Sequence, residues 1–239
     1  MLIRTAGLVF SLSIALAACG APTQPTAPPS TQPAPRPAPP VTTPPPVPAS
    51  TALISCETQL GAGPAQTLAD QCRNVSPATR PPCNIANSWA MIRDEIARGC
   101  QFLGKDAAAA GCATDPRSAA GAVEVVQRYY EALGARDYSA AYSQWRGDGE
   151  GSGKSFADFT AGFANTASTT VTVGAPGGVE GGAGSLYVTI PVTVDAVLND
   201  GTRQRFKGGY DLRRINDVDG ASAEQLRWKL AGAKLTPAP

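Results

Sequence analysis

The 239-residue sequence contains no histidine. That absence removes the side chain that most often serves as a general base near neutral pH, along with every Ser-His-Asp or Cys-His arrangement and every zinc site that needs an imidazole. An excess of one charge is also missing. The 20 Lys and Arg stand against 19 Asp and Glu, a formal net charge of +1, so no bulk field gathers nucleic acid and no nucleic-acid partner is expected. The six cysteines include no CxxC pair, so a Cys-only zinc site lacks its usual spacing, and neither a metal nor a cofactor is expected. Gly153-Lys154-Ser155 has the ending of a phosphate-binding loop, but Asp148 stands where that pattern needs glycine and no strand is expected before it, so residues 147–155 read as an ordinary loop.

What is present begins at the first residue. Met1 to Arg4 carry one positive side chain, Thr5 to Leu16 are apolar or small, and Ala17-Ala18 precede Cys19, the layout of a secretory signal. The apolar run ends at Gly20 and Pro22, well short of the roughly 20 residues that span a bilayer. Leu16-Ala17-Ala18-Cys19 resembles the lipobox of bacterial lipoprotein precursors. The resemblance implies a signal peptide of residues 1–18 and a mature chain starting at a lipidated Cys19, with a diacylglyceryl group on its sulfur and a fatty acyl chain such as palmitate on its freed amine. At about 0.8 kcal/mol per buried methylene, such an anchor holds firmly to a membrane. Gly20, in place of an aspartate, implies sorting to the outer membrane, facing the periplasm. The alternative is an ordinary signal peptide cut at the same bond, with Cys19 a free thiol.

Residues 20–50 hold 13 of the 22 prolines and almost nothing that can enter a core. With Cys19 they form a linker, residues 19–50, held in extended polyproline geometry by its prolines.

Cys56, Cys72, Cys83, Cys100 and Cys112 fall in one stretch, expected to be a Cys-rich helical domain over residues 51–115. Ile85, Trp89, Ile92, Ile96, Cys100 and Leu103 recur every three or four residues, which predicts a helix from near Asn84 to Gly104. A first arm carries Leu53, Cys56, Leu60, Leu68 and Cys72, interrupted by GAGP at 61–64. An unbroken helix separates Cys83 from Cys100 by roughly 25 Å, too far for a disulfide. Two nested antiparallel arms predict Cys72 with Cys83 and Cys56 with Cys100, leaving Cys112 as the odd thiol; with one cysteine free, five allow fifteen pairings, and the interruption at 61–64 can spoil the register.

Residues 118–237 change period. Val123, Val126, Tyr130 and Leu133 make one helical face closed by Gly134; Asp137 is placed to cap a helix from Tyr138 to Trp145; Phe156, Phe159 and Phe163 mark a third helix. From Thr169 the period is two: strands are expected at Thr169–Val173, through Leu186–Val194, from Thr202 to Ile215 after the LNDG turn, and across Leu226, Trp228 and Leu230. Helices followed by an antiparallel meander make an α+β fold. This order, with YYEALGARDYSAAYSQW at 129–145 and its pattern of Tyr130, Ala132, Asp137, Tyr138 and Ala141, resembles the NTF2-like superfamily, which implies a curved sheet wrapping helices into a cone. That superfamily includes enzymes such as ketosteroid isomerase and polyketide cyclases as well as silent binding domains, so the resemblance leaves function open.

An isomerase-like or cyclase-like reaction needs a carboxylate in an apolar site opposite a donor, and Asp137, Asp158, Tyr130 and Tyr210 are the candidates. Arg205, Lys207, Arg213, Arg227 and Lys229 crowd the last two strands and form a candidate surface for an acidic envelope protein, an anionic glycan or a lipid head group. The expected function is that of a lipid-anchored envelope protein acting as a non-catalytic binding or assembly module; the alternative is a small-molecule carrier or enzyme using the cone. The anchor is tested by fractionation: the wild-type chain is expected in the membrane fraction with acyl groups on Cys19, and Cys19→Ala without them, whereas an unmodified wild-type Cys19 in the aqueous fraction contradicts the lipobox reading.

Overall fold

Among the described residues, five of the six α-helices begin where a side-chain oxygen meets an N–H that the first turn leaves unpaired. In the computed structural model, which describes residues 52–239, Ser55 caps α1 (Cys56–Leu60), Ser88 caps α3 (Trp89–Leu103), Ser118 caps α4 (Ala119–Gly134), Asp137 caps α5 (Tyr138–Ser143) and Ser155 caps α6 (Phe156–Ala161). The exception is α2 (Ala62–Val75), which starts at Gly61, whose φ of 83° suits glycine. The break expected at 61–64 therefore falls at Gly61, and Pro64 sits in the first turn of α2, where its missing N–H costs nothing. The signal peptide, Cys19 and the linker lie outside the described residues. Among the described residues, no helix is long and apolar enough to cross a membrane.

α5 and α6 stop at Ser143 and Ala161, short of the expected Trp145 and Phe163, and two further helix ends differ for local reasons. α3 starts at Trp89 rather than near Asn84, because the Asn84 side chain accepts from the Ala86 N–H at 2.9 Å and holds residues 84–87 in a turn. Gly134 is the last residue of α4 rather than its left-handed cap. That conformation is taken by Arg136, at φ 57°, where Arg136 N–H bonds the Leu133 carbonyl and Asp137 N–H bonds the Ala132 carbonyl.

The disulfides join Cys72 to Cys83, as expected, and Cys100 to Cys112, with Cα atoms 5.5 and 5.8 Å apart. The Cys56–Cys100 pairing is thereby corrected, and Cys56 replaces Cys112 as the free thiol. The reason is the break at Gly61. It turns α1 back so that the Cys56 N–H bonds the Asn87 carbonyl, beside the start of α3, whereas Cys100 lies in the last turn of that helix, about 17 Å further along at 1.5 Å per residue. Each disulfide closes a local loop instead of linking the arms. Cys56 is buried in a small cluster with Cys72, Cys83 and Ile92, and burial pushes its thiol pKa up, which keeps it unreactive.

The sheet runs in the order β1 (Thr166–Val173), β3 (Ser185–Leu198), β4 (Arg203–Ile215), β5 (Lys229–Pro237), with short β2 (Glu180–Gly182) also pairing β3; every pairing is antiparallel. Pro191 is tolerated in the middle of β3 because its N–H-less edge faces the place where β1 ends and Gly174 returns a bond to the Pro191 carbonyl. The last strand begins later and runs further than its sequence pattern implies. Gly208 makes this possible, since a Cβ there would lie 1.8 Å from the Lys234 carbonyl oxygen of β5. Along β3, Val188, Ile190, Val192 and Val194 face inward, where they meet Val125, Val126, Tyr129 and Leu133 of α4 together with Leu212, Trp228 and Leu230.

Among the described residues, the helical segment and the sheet segment lie in one compact unit, joined by buried polar contacts. Asp94 of α3 is 8 % exposed. Its carboxylate meets Arg227, ahead of β5, and Arg128 of α4, and accepts from Arg98 at 3.0 Å and from Gln144 at 3.4 Å. The Ser88 hydroxyl donates to Asp137, Arg93 pairs with Glu131, and the Gln101 amide donates to the Ala223 carbonyl. Burial alone raises the Asp94 pKa; the positive charges of Arg227, Arg128, Arg98 and Lys229 more than reverse this and hold it well below the usual carboxylate range. A folded-state pKa below the unfolded value means that the unfolded chain binds more protons in acid, so this contribution is complete above about pH 5 and fades as the pH falls through about 4 and lower. Asp94→Asn leaves buried guanidiniums uncompensated and is expected to cost about 3–5 kcal/mol in urea unfolding and to flatten the acid limb of stability; Asp195→Asn, on an exposed pair with Arg205, is expected to cost at most about 1 kcal/mol.

Candidate functional site

The inner face of the sheet is not filled completely. A cavity of about 540 Å3 remains between α4, α6 and strands β3 to β5, with Tyr129, Tyr130, Trp145, Phe159, Phe163 and Tyr210 in its wall. The helical aromatics reach it because Tyr129 and Tyr130 end α4 facing the sheet, while Phe159 and Phe163 recur four residues apart through α6 and the turn after it. They pack edge to face: the Tyr129 ring centroid lies 5.1 Å from Tyr130, 5.9 Å from Trp145 and 5.8 Å from Tyr210. From the sheet, Val194, Phe206, Ala233 and Leu235 complete the wall.

Within this apolar lining, the Tyr130 and Tyr210 hydroxyls hydrogen-bond each other at 2.8 Å. Burial pushes both well above the usual tyrosine range, so each remains a neutral hydroxyl at physiological pH. One hydroxyl donates and the other accepts; the acceptor can turn its own O–H to a third group, and the Tyr129 hydroxyl beside Tyr210 is one such neighbour. The Trp145 indole N–H, near the Tyr129 hydroxyl but outside hydrogen-bond geometry, is buried without a partner, as is the Thr169 hydroxyl. The site is therefore mostly apolar, with a few unmatched polar hydrogens, the exposed Lys154 and Gln204 in its wall and no carboxylate in its lining.

Of the four proton-transfer candidates, Tyr130 and Tyr210 come together here. Asp137 and Asp158 do not. Asp137 caps α5 and accepts from Ser88 at 2.5 Å, and Asp158 accepts from the Ser155 hydroxyl at 2.7 Å in the first turn of α6. Ser155 itself caps α6, and a 3-10 turn at Glu150–Ser152 occupies the loop before it, consistent with an ordinary connection over 147–155.

The candidate basic surface divides. Arg205, Lys207 and Arg213 share the outer face of β4, as alternation predicts, but Arg205 pairs with Asp195 at 2.7 Å and Arg213 donates to the Ser185 hydroxyl at 3.0 Å. Lys229 pairs with Glu224 at 2.7 Å and donates to the Ser143 carbonyl. Arg227 is not a surface residue at all: it lies ahead of β5, turned inward against Asp94, and its placement on an exposed face is corrected by that ion pair. Sequence reasoning also missed Trp145, Phe206 and Arg146 as site residues. The signal for Phe206 was present, since it alternates with Arg205 and Lys207 and so faces inward.

No family model matches the chain, and no curated protein matches it. Among solved structures, the chain is similar to the Kfla4162 protein from Kribbella flavida, at 17% identity over 50% of this chain and 90% of that one, with a TM-score of 0.36. Neither fold nor function is drawn from a likeness of that size.

Proposed function

We propose that the mature chain is a lipid-anchored envelope protein, tethered through Cys19 to the outer membrane and facing the periplasm, whose sheet and helices form an NTF2-like cone that binds a small apolar molecule carrying an oxygen acceptor. The observation that carries this reading is the 540 Å3 aromatic cavity with its hydrogen-bonded Tyr130–Tyr210 pair. Its volume falls in the range of small-molecule sites, about 300–1,000 Å3, and such sites combine an apolar wall with a few placed polar groups. The buried Trp145 N–H seeks an acceptor, and one O–H of the tyrosine pair can turn to the same place, so a carbonyl or ether oxygen on an otherwise apolar ligand matches them. Two disulfides fit an exported location with an oxidising environment. The cavity is equipped to bind rather than to move protons, because its tyrosines stay neutral and the two candidate carboxylates are engaged elsewhere, Asp137 as the cap of α5 and Asp158 on the Ser155 hydroxyl. The outer face of β4 supports an acidic macromolecular partner less well, since carboxylates of Asp195 and Asp211 interleave with its cations.

Probe binding tests the cavity. The fluorescence of an apolar naphthylamine dye is expected to rise on saturable binding to the wild-type chain. Ala233→Trp, at an exposed β5 position in the cavity wall, is expected to weaken binding by about tenfold or more as the ring occupies the space. Tyr130→Phe is expected to spare that dye while weakening a carbonyl-bearing analogue by roughly three- to tenfold, the worth of one hydrogen bond. Equal dye binding by wild type and Ala233→Trp contradicts the reading.

A further inference from the structure

A second concavity, of about 350 Å3, opens beside the turn that follows Trp145 and shares no lining residue with the aromatic cavity. Its walls bring together five cations that are scattered in sequence: Arg146 from the turn, Arg213 and Arg214 from the end of β4, Arg227, and Lys229 at the start of β5. Asp148 and Glu224 are the carboxylates of the lining, and Asp217 and Asp94 pair with Arg214 and Arg227 from outside it, so one positive charge is left over. Glu224 is taken up further by Lys229 at 2.7 Å and by Arg227 at 3.9 Å.

Two of these guanidiniums are fixed in advance. Arg214 and Arg227 are each 6 % exposed. Arg214 is held by Asp217 at 2.9 Å and by the Trp228 ring at 5.4 Å, Arg227 by Asp94, and yet the Arg214 Nε and the Arg227 Nη1 are buried without a hydrogen-bond partner. Arg146 and Arg213, nearer the surface, have no carboxylate partner among the described residues. Buried donors without partners are costly, and a surplus of charge around one small concavity repels itself, so the arrangement lacks an anion. The unpartnered guanidinium N–H groups of Arg214 and Arg227 and the unpaired charges of Arg146 and Arg213 suit an oxyanion with several acceptor oxygens, and converging guanidiniums match tetrahedral oxygens.

We propose that this cleft binds a phosphate group, supplied either as free phosphate or as the phosphomonoester head group of a lipid. Arg146 and Arg213 close on the outer oxygens, and Arg214, Arg227 and Lys229 supply the fixed positive floor. The site is independent of the aromatic cavity, and each can fail without the other.

Isothermal titration of the full chain in detergent, at constant ionic strength, separates the sources by comparing inorganic phosphate with glycerol 3-phosphate. Saturable binding of at least one of them is expected, with tighter glycerol 3-phosphate marking a lipid head group and tighter inorganic phosphate marking the free ion. Arg146→Gln and Arg213→Gln are each expected to weaken binding roughly tenfold, the loss of one charge-assisted hydrogen bond, with the thermal midpoint in phosphate-free buffer nearly unchanged. Arg205→Gln, whose partner is Asp195 outside the cleft, is expected to leave binding intact. Absence of saturable binding by both compounds, or binding that survives Arg146→Gln and Arg213→Gln, overturns the proposal.

Discussion

The arrangement of this protein depends on one carboxylate out of water. Asp94 would be expensive to bury alone, and it is tolerated because guanidiniums from α4 and from the segment before β5 converge on it, with Arg98 of its own helix at the rim. Attraction runs both ways: without Asp94, Arg128 and Arg227 become buried charges with too little to meet them. Three pieces of chain distant in sequence are held in one relation by a single side chain. The Gln144 amide also reaches that carboxylate, and the Gln144 carbonyl accepts from the Leu230 N–H while the Arg146 N–H returns a bond to the Leu230 carbonyl. The residues on either side of that exchange serve different places, Trp145 the aromatic cavity and Arg146 the cationic cleft. Both concavities are thus shaped by backbone that the buried ion fixes.

Against this junction the disulfides have a local task. Cys72–Cys83 ties the end of α2 to the loop ahead of α3, and Cys100–Cys112 ties the end of α3 to the loop beyond it. Loops of this length lose about 3 kcal/mol of unfolded-state freedom when closed, which suits a helical segment whose own cluster of buried residues is small. What the disulfides do not provide is attachment to the sheet and to the helices packed on it. That comes from Asp94, from Arg93 with Glu131, and from Ser88 with the capping Asp137.

Much of the fold was legible in the sequence because it is written in local chemistry. Asp137 signals a helix start, GAGP a break, LNDG a hairpin, and the alternation of Val188, Ile190, Val192 and Val194 a strand with one dry face. Long-range facts were not. Asp94, flanked by charged neighbours, has the look of a solvated position; it is buried by Arg227, which arrives from 133 residues away. Arg227 looked like a member of a basic stripe for the same reason. The partner of Cys100 depended on the direction in which α1 leaves Gly61, which composition does not specify. β5 continues past Leu230 because β4 offers it an edge and Gly208 lets it approach, while LAGAKLTP carries little strand pattern of its own. Of the aromatic cavity, Tyr130, Phe159 and Phe163 were visible on helix faces, but the space between them is a property of packing.

Native-state hydrogen exchange in rising, sub-denaturing urea tests most directly whether one buried ion makes the helical and sheet segments a single unit. The slow amides of α3 are expected to merge with those of β3 and β4 on one global opening in the wild-type chain. Exchange of α3 through a separate opening of much lower free energy, while the sheet stays closed, would contradict it.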